Sequence, residues 1–304
     1  MKAASGEMRR WSGVAAVLGM TLLGLSCREA PEEGGPGPSP QTALSAFVSI
    51  PPQAYLVERV GGRHVQVNVL VGPGQSPATY EPSPSQMSGL DEADVYFRIG
   101  VPFEEALVPR IRASMPDLPI VDTRQGIEMR PMVGGDDAHA GEARRDPHTW
   151  LDPDLAKMQA RTICENLQEL DPEHADQYQR NLEGLLADLE AVDEEIARAL
   201  EPFRGAEILV FHPAYGYFAD AYGLKQVAIE LEGKRPTPRQ LEAIIEEAEC
   251  RDIRAIFVQP QFSTASAEAI AREIGAVVVP LDPLARDYLS NLRQMAQRIR
   301  SALE

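Results

Sequence analysis

The sequence predicts an α/β protein with two lobes, each a four-stranded parallel-type sheet with flanking helices, joined by one long rigid helix. Three observations support this fold class. Short apolar runs alternate with helical patterns from Ala46 onward, the same alternation returns after residue 204, and the stretch between them has helical spacing without a strand signal. Alternating strands and helices are typical of parallel sheets, because each parallel connection must cross back over the sheet.

The N-terminal lobe is predicted to span residues 44–170. Its strand-like runs are AFVSI, VQVNVLV, DVYFRI and PIVDT, and helical patterns lie between them around residues 52–60, 83–92 and 103–115. A further helix is predicted to begin near Pro153, because Asp152 is a favourable N-cap residue and proline suits the first helical turn.

Residues 171–203 are predicted to form the linking helix. After Pro172, Gly184 is the only glycine or proline before Leu200. Apolar residues recur at helical spacing, at Leu182, Leu185, Leu186, Leu189, Val192, Ile196 and Leu200. At about 1.5 Å per residue this helix would be roughly 40 Å long. A stiff connector predicts limited closure of the lobes, because hinged proteins mostly bend at loops and element ends.

The C-terminal lobe is predicted to span residues 204–304. Its strand-like runs are EILVF, QVAIEL, AIFVQP and AVVVPL, with helices near residues 214–222, 237–250, 265–274 and 286–303. Cys164 and Cys250 fall in different predicted helices, and sequence spacing alone does not establish a disulfide. We therefore expect two buried free thiols.

The amino terminus predicts export. Arg9 and Arg10 precede an apolar run that is too short for a membrane span, so residues 1–26 are typical of an export signal. The run ends in LLGLSC, which resembles a bacterial lipoprotein cleavage site with Cys27 as the lipidated first residue; plain signal cleavage is the alternative. Residues 27–43, rich in proline, glycine and glutamate, predict a disordered tether.

Composition limits the classes of function. A hydrophobic content of 44% and an aromatic content of 6% are typical of a globular protein. The 29 basic and 46 acidic residues give a net charge of −17, which argues against nucleic acid or an anionic membrane surface as a partner held by charge. The charge suits cations, but solubility is the better explanation, because net charge alone rarely identifies a ligand.

Three side chains at element boundaries form a candidate metal-binding set. His212 follows the strand-like run ILVF, His148 precedes the helix that begins near Pro153, and Asp282 follows the run VVVPL. Ligands of open α/β sheets bind where the carboxyl ends of the strands lie. Two imidazoles and one carboxylate are a plausible ligand set for a divalent metal, although each residue alone is explained by an ordinary structural role.

The segments DPHTWLDP, FHPAYGYFADAYGL and VPLDPLARDYLSNLRQM occur in this order, with GPGQSPATYEPSPSQ upstream. Together they resemble the solute-binding proteins of zinc and manganese ABC importers over nearly the whole mature chain. The resemblance implies two β/α lobes, a rigid linking helix and a metal ion in the cleft, with His148, His212 and Asp282 as ligands. It implies an exported monomer, periplasmic or at the cell surface, that delivers the ion to an ABC permease driven by its ATPase, rather than an enzyme.

One ligand that the resemblance implies is absent. Where the family has a histidine before TYEP, this chain has Ala78, whose methyl group cannot bind a metal. The site is therefore expected to have three protein ligands and a fourth position for water or Glu81. Two imidazoles and one carboxylate favour zinc over manganese, with weaker binding than four ligands would give.

The other histidines and acidic side chains have simpler interpretations. Asp136, Asp137 and His139 lie in the polar loop 134–146, where zinc receptors of the family often carry a histidine-rich loop; a solvated loop is the expectation here. His64 and His174 are expected to be surface residues. Two alternatives remain: a degenerate receptor that binds another ligand, and a zinc-dependent hydrolase with Glu81 as its base, although HExxH is absent.

Overall fold

The computed structural model describes residues 43–132, 145–229, 253–262 and 265–304, together with residues 242, 245, 246 and 248. Several predictions lie outside these residues: the export signal, all but the last residue of the tether with Cys27, the loop residues Asp136, Asp137 and His139, and Cys250 with most of the helix at 237–250. Within the described part of the chain, no helix is both long and apolar enough to cross a membrane.

The N-terminal lobe is built on a four-stranded sheet in the order β2-β1-β3-β4, with every pair of neighbours parallel. Its elements are β1 (Leu44–Val48), α1 (Pro51–Gly61), β2 (Val65–Val69), α2 (Pro84–Asp91), β3 (Val95–Arg98), α3 (Glu104–Ser114), β4 (Ile120–Asp122) and α4 (Pro153–Leu170). All four predicted strands are present. Asp152 is the N-cap of α4, as predicted, since its side chain accepts bonds from the backbone N–H groups of Asp154 and Leu155.

The C-terminal lobe repeats this topology with the strand order β6-β5-β7-β8, again parallel throughout. Its elements are β5 (Glu207–Val210), α6 (Gly216–Ala221), β6 (Lys225–Ala228), β7 (Ala255–Val258), α7 (Ala265–Ile274), β8 (Val277–Pro280) and α8 (Tyr288–Leu303). Helix α6 begins at Gly216, two residues after the predicted start near residue 214. The N–H of Tyr215, its N-cap residue, donates to Gln226 Oε1 at 2.7 Å.

The linking helix is α5 (Ala175–Leu200), which has 26 residues. Short 3₁₀ turns at Pro172–His174 and Glu201–Phe203 flank it, so the predicted first residues belong to the preceding turn. The predicted apolar stripe is buried except for Leu186, which is partly buried. The helix packs against α1 and α4 of the N-terminal lobe and against α8 of the C-terminal lobe. This packing stiffens the connection, since any bending would separate buried side chains.

The ionisation of Asp152 makes the free energy of unfolding depend on pH. Burial raises its pKa to about 6, and the negative charges of Asp154 and Asp193 add to the effect, although the two backbone bonds act in the opposite direction. Because the folded-state pKa lies above the unfolded value of 3.8, the folded state binds this proton more tightly. The stabilisation is present below about pH 4 and is lost as the pH rises towards 6.

We expect Asp152→Asn to remove this dependence while keeping an N-cap oxygen. At pH 7.5 the variant should be more stable than the parent by about 1–3 kcal/mol, with the difference shrinking towards pH 4. Urea unfolding at several pH values measures it. Asp176→Asn is the control, because Asp176 is an exposed acidic residue in the first turn of α5. Parallel pH profiles for Asp152→Asn and the parent would contradict the assignment.

The carboxyl edge of the first sheet is closed by a side chain of the same lobe. The buried Glu104 carboxylate accepts the backbone N–H groups of Ile99 at 2.9 Å and Gly100 at 2.7 Å. It also accepts Arg98 Nε at 3.0 Å and the Ser49 hydroxyl at 2.6 Å. Loops after β1 and β3 flank the point where ligands commonly bind in such sheets. In this protein the backbone N–H donors at that point already donate to the Glu104 carboxylate.

Candidate metal site

His212 lies at the corresponding edge of the second sheet, directly after β5 and Phe211. Its backbone is fixed to Gln259, which follows β7: the His212 N–H donates to Gln259 Oε1 at 3.3 Å, and Gln259 Nε2 donates to the His212 carbonyl at 2.8 Å. Phe262 stacks on the imidazole with ring centroids 5.2 Å apart. Gln259 therefore fixes the backbone of His212, and Phe262 packs against the face of its imidazole.

His148 is held by a buried carboxylate two residues earlier in the chain. The Asp146 Oδ1 atom lies 2.7 Å from His148 Nδ1 and accepts the His148 backbone N–H at 3.0 Å. The His148 residue is 8% exposed and Asp146 is 1% exposed. A carboxylate at Nδ1 favours the tautomer with its proton on that nitrogen, which leaves Nε2 as the metal-binding atom. Metal-binding histidines commonly have such a partner.

Arg130 connects this carboxylate to the other lobe. Its Nε lies 4.0 Å from Asp146 Oδ2, and its Nη1 lies 3.1 Å from Asp220 Oδ2 in α6. The guanidinium carbon also lies 5.7 Å from the centroid of the Tyr217 ring. A Cβ atom at Gly216 would come within 2.1 Å of Arg130 Nη1, so the glycine permits this close approach. Arg130 therefore bridges the segment of His148 and the helix that follows His212.

The structure places the rings of His148 and His212 close to each other. Their ring centroids are 5.4 Å apart and the rings are nearly perpendicular, at 74°. One imidazole comes from each lobe, and the two residues are far apart in the chain. Neutral imidazoles at this separation can share a divalent ion after small rotations of the rings.

The backbone beside Asp282 contacts both histidine segments. Trp150 Nε1 donates to the Pro283 carbonyl at 2.7 Å, and the Tyr215 hydroxyl donates to the Leu281 carbonyl at 2.8 Å. Burial, reinforced by the negative charge of Asp282, raises the pKa of Tyr215 well above its ordinary value, so the hydroxyl remains a donor. These two bonds connect the three predicted ligand segments.

The Asp282 carboxylate itself is held by other groups. Its Oδ1 accepts Gln261 Nε2 at 2.9 Å and the Leu284 backbone N–H at 3.0 Å. Among the residues that the structure describes, no group of three or more His, Cys, Asp or Glu side chains is arranged to hold one metal ion. The structure thus pairs the two imidazoles and leaves the predicted third ligand bound to Gln261.

The predicted fourth position lies in the exposed loop between β2 and α2. Ala78 and Glu81 are both exposed there, and the Ala78 N–H donates to Ser76 Oγ at 3.3 Å. Sequence analysis missed the residues that orient the candidate ligands: Asp146, Arg130, Gln259, Gln261 and Phe262. The acidic residue two positions before His148 was a visible signal, whereas Arg130 had none, because its contacts form across the fold.

Two parallel sheets of one strand order, a long helix packed against helices of both lobes, and an imidazole from each lobe define a two-lobed solute-binding receptor. The family model described as "ZnuA: Zinc-uptake complex component A periplasmic" matches residues 47–302. The chain belongs to this family, which consists of periplasmic receptors rather than enzymes.

Individual proteins agree with this assignment. A crystal structure of ZnuA is 43% identical, with a TM-score of 0.81, and the match covers 86% of this chain and 100% of that one. A zinc-bound deletion mutant of ZnuA is also 43% identical, with a TM-score of 0.79 and coverage of 86% and 98%. The high-affinity zinc uptake system protein ZnuA of Bacillus subtilis is 26% identical over 288 residues, which are 91% of this chain and 89% of the relative.

The contact between Asp146 and His148 leads to a quantitative expectation. Replacing Asp146 with asparagine keeps its shape but removes the charge behind the imidazole, and loss of such a partner typically weakens metal affinity 10- to 100-fold. We expect zinc affinity to fall by about tenfold in Asp146→Asn, measured against a competing chelator. Asp220→Asn is the matched control, because it contacts Arg130 but not His148. Equal losses in the two variants would contradict a specific role for Asp146.

Proposed function

We propose that this protein is an extracytoplasmic receptor that binds zinc between its lobes and delivers it to an ABC-type permease driven by a separate ATPase. Membership of the zinc-uptake family supports the proposal. The observation that carries it is the pair of imidazoles, His148 and His212, one from each lobe, 5.4 Å apart. An ion bound by both would hold the lobes in one arrangement, which gives the permease a way to distinguish loaded from empty receptor.

The proposed ligands are His148, His212 and Asp282, with water or Glu81 in the fourth position. Asp282 joins the set by exchanging its bond with Gln261 for a bond to the ion. The backbone bonds of Trp150 and Tyr215 on either side of Asp282 favour this, because they keep its segment beside both histidines. The exchange replaces a neutral donor by a divalent cation, which is the stronger partner for a carboxylate.

The donor set favours zinc as the ion. Imidazole nitrogens suit zinc, whereas oxygen-rich sites suit manganese, and this site offers two imidazoles and one carboxylate. Copper, nickel and cobalt fit the same donors in vitro, because intrinsic affinity follows the Irving–Williams order. Selection of zinc in the cell then depends on which ions are available outside the membrane.

The remaining parts of the chain fit an anchored receptor. We propose that Cys27 carries a lipid and that residues 27–43 tether the folded part to the membrane. We further propose that the protein is a monomer, with an N-terminal lobe at 44–170, a linking helix at 171–203 and a C-terminal lobe at 204–304. Mass spectrometry of the protein from membranes tests the lipid, since the alternative of plain signal cleavage leaves an unmodified soluble chain.

Competitive titration with zinc and manganese tests the function. We expect the purified protein to take up one zinc ion tightly in the presence of a chromophoric chelator and to bind manganese more weakly. Failure to bind either ion would instead support a degenerate receptor with another ligand. Chelator-sensitive hydrolysis of ester or peptide substrates would support the alternative of a zinc hydrolase.

A further inference from the structure

A second pair of histidines lies outside the candidate metal site. His64 ends the 3₁₀ turn before β2, and His174 ends the 3₁₀ turn before α5. Their rings are stacked, with centroids 3.7 Å apart and an interplanar angle of 28°. Both residues are partly exposed. The pair lies at the amino end of β2, whereas His212 and Asp282 follow the carboxyl ends of their strands, so the two pairs occupy different parts of the fold.

His174 has the same kind of carboxylate partner as His148. Its Nδ1 lies 2.7 Å from Asp171 Oδ2, and this oxygen also accepts the Tyr178 hydroxyl at 2.6 Å. Asp171 favours the His174 tautomer that presents Nε2 as the metal-binding atom.

His64 supplies the second imidazole. Its Nε2 lies 3.4 Å from Arg63 Nε, which is a long and exposed hydrogen bond. Because this hydrogen bond is weak, a metal ion can displace Arg63 Nε from His64 Nε2 with little loss of free energy.

We propose that His64 and His174 form a second, exposed binding site for divalent transition-metal ions such as zinc, with Asp171 orienting His174 from behind. Zinc binds imidazole nitrogens in the ring plane at about 2.0–2.1 Å, so the two rings must turn out of the stack before their nitrogens point at one ion. Both side chains are partly exposed, which leaves room for this rotation. Water completes the coordination. With two protein ligands instead of three, this site binds more weakly than the interlobe site, and the acidic chain favours cations in general.

The protein has 5 histidines, which permits a direct test. Replacing His139, His148 and His212 by alanine leaves only His64 and His174. Copper(II) is the probe, because it binds such donors most strongly and its electron paramagnetic resonance spectrum reports bound nitrogen. We expect one copper ion with two nitrogen ligands, displaceable by excess zinc. Adding His174→Ala should weaken binding at least tenfold, and equal binding with and without His174 would overturn the proposal.

Variants in the otherwise intact protein avoid dependence on the folding of the triple variant. There we expect two classes of zinc site, with the weaker class lost in His64→Gln and in His174→Gln. Asp171→Asn should weaken that class 10- to 100-fold, as expected for loss of a carboxylate behind a metal-binding imidazole. Arg63→Gln is the control and should leave it unchanged or tighter. A single class of zinc site, or a weaker class that survives both histidine variants, would refute the second site.

Discussion

Replacing His212 by alanine is expected to abolish tight zinc binding, with a loss of more than about 100-fold in affinity. The estimate exceeds the 10- to 100-fold loss typical of a residue behind a ligand, because here the ligand itself is removed. The substitution removes one of the two paired imidazoles, whereas the backbone bonds between His212 and Gln259 do not involve the imidazole. The fold should therefore survive, and competition with a chelator measures the loss.

His174→Ala is the matched control for this experiment. It also removes an imidazole, but from the exposed pair with His64, so the tight zinc equivalent should remain while the weaker class disappears. A His212→Ala protein that binds zinc as tightly as the parent, with circular dichroism confirming that both are folded, would refute the assignment of His212 as a ligand. His148→Ala should behave as His212→Ala does, because we propose that the two rings bind the same ion.

Restoring a histidine at position 78 is expected to tighten zinc binding. Ala78 is exposed in the loop before α2, so a larger side chain there meets little steric resistance. If the loop places residue 78 at the fourth coordination position, a protein nitrogen replaces water. An increase of at least about tenfold, equivalent to about 1.4 kcal/mol, is then expected.

The control is Ala78→Gln, which has comparable bulk without an imidazole, and Glu81→Gln tests the other occupant of the fourth position. If Glu81 completes the coordination, Glu81→Gln weakens binding in the parent but not in Ala78→His. If water completes it, Glu81→Gln has no effect in either background. An Ala78→His protein with unchanged or weaker affinity would show that the loop does not bring residue 78 to the ion.

The contacts of Arg130 indicate how ion binding and lobe position are connected. Arg130 lies against Asp146, which orients His148, and against α6, which follows His212. A change in the relative position of the lobes would therefore disturb both imidazoles through one side chain. The packing of α5 along α1, α4 and α8 opposes large movements. Small rearrangements near the site, such as release of Asp282 from Gln261, are more consistent with this construction than a wide hinge.

The sequence by itself determined the architecture. Short apolar runs, helical spacing and capping residues act over a few positions, so the strands, the long helix and the N-cap at Asp152 were predictable. Equally local patterns predicted that His212 and Asp282 each follow a strand. The start of α6 at Gly216, two residues after its predicted position, had no such local signal, and the N–H of its N-cap residue Tyr215 donates to Gln226 in a neighbouring strand.

Only the tertiary structure decided how the candidate ligands are arranged. It paired His148 with His212, placed Arg130 between Asp146 and α6, and directed the Asp282 carboxylate to Gln261. It also stacked His64 on His174, which the sequence suggested only as separate surface residues. Most of these contacts join residues far apart in the chain. Local patterns specify the faces and ends of single elements, and the meeting of two distant side chains depends on the packing of all elements together.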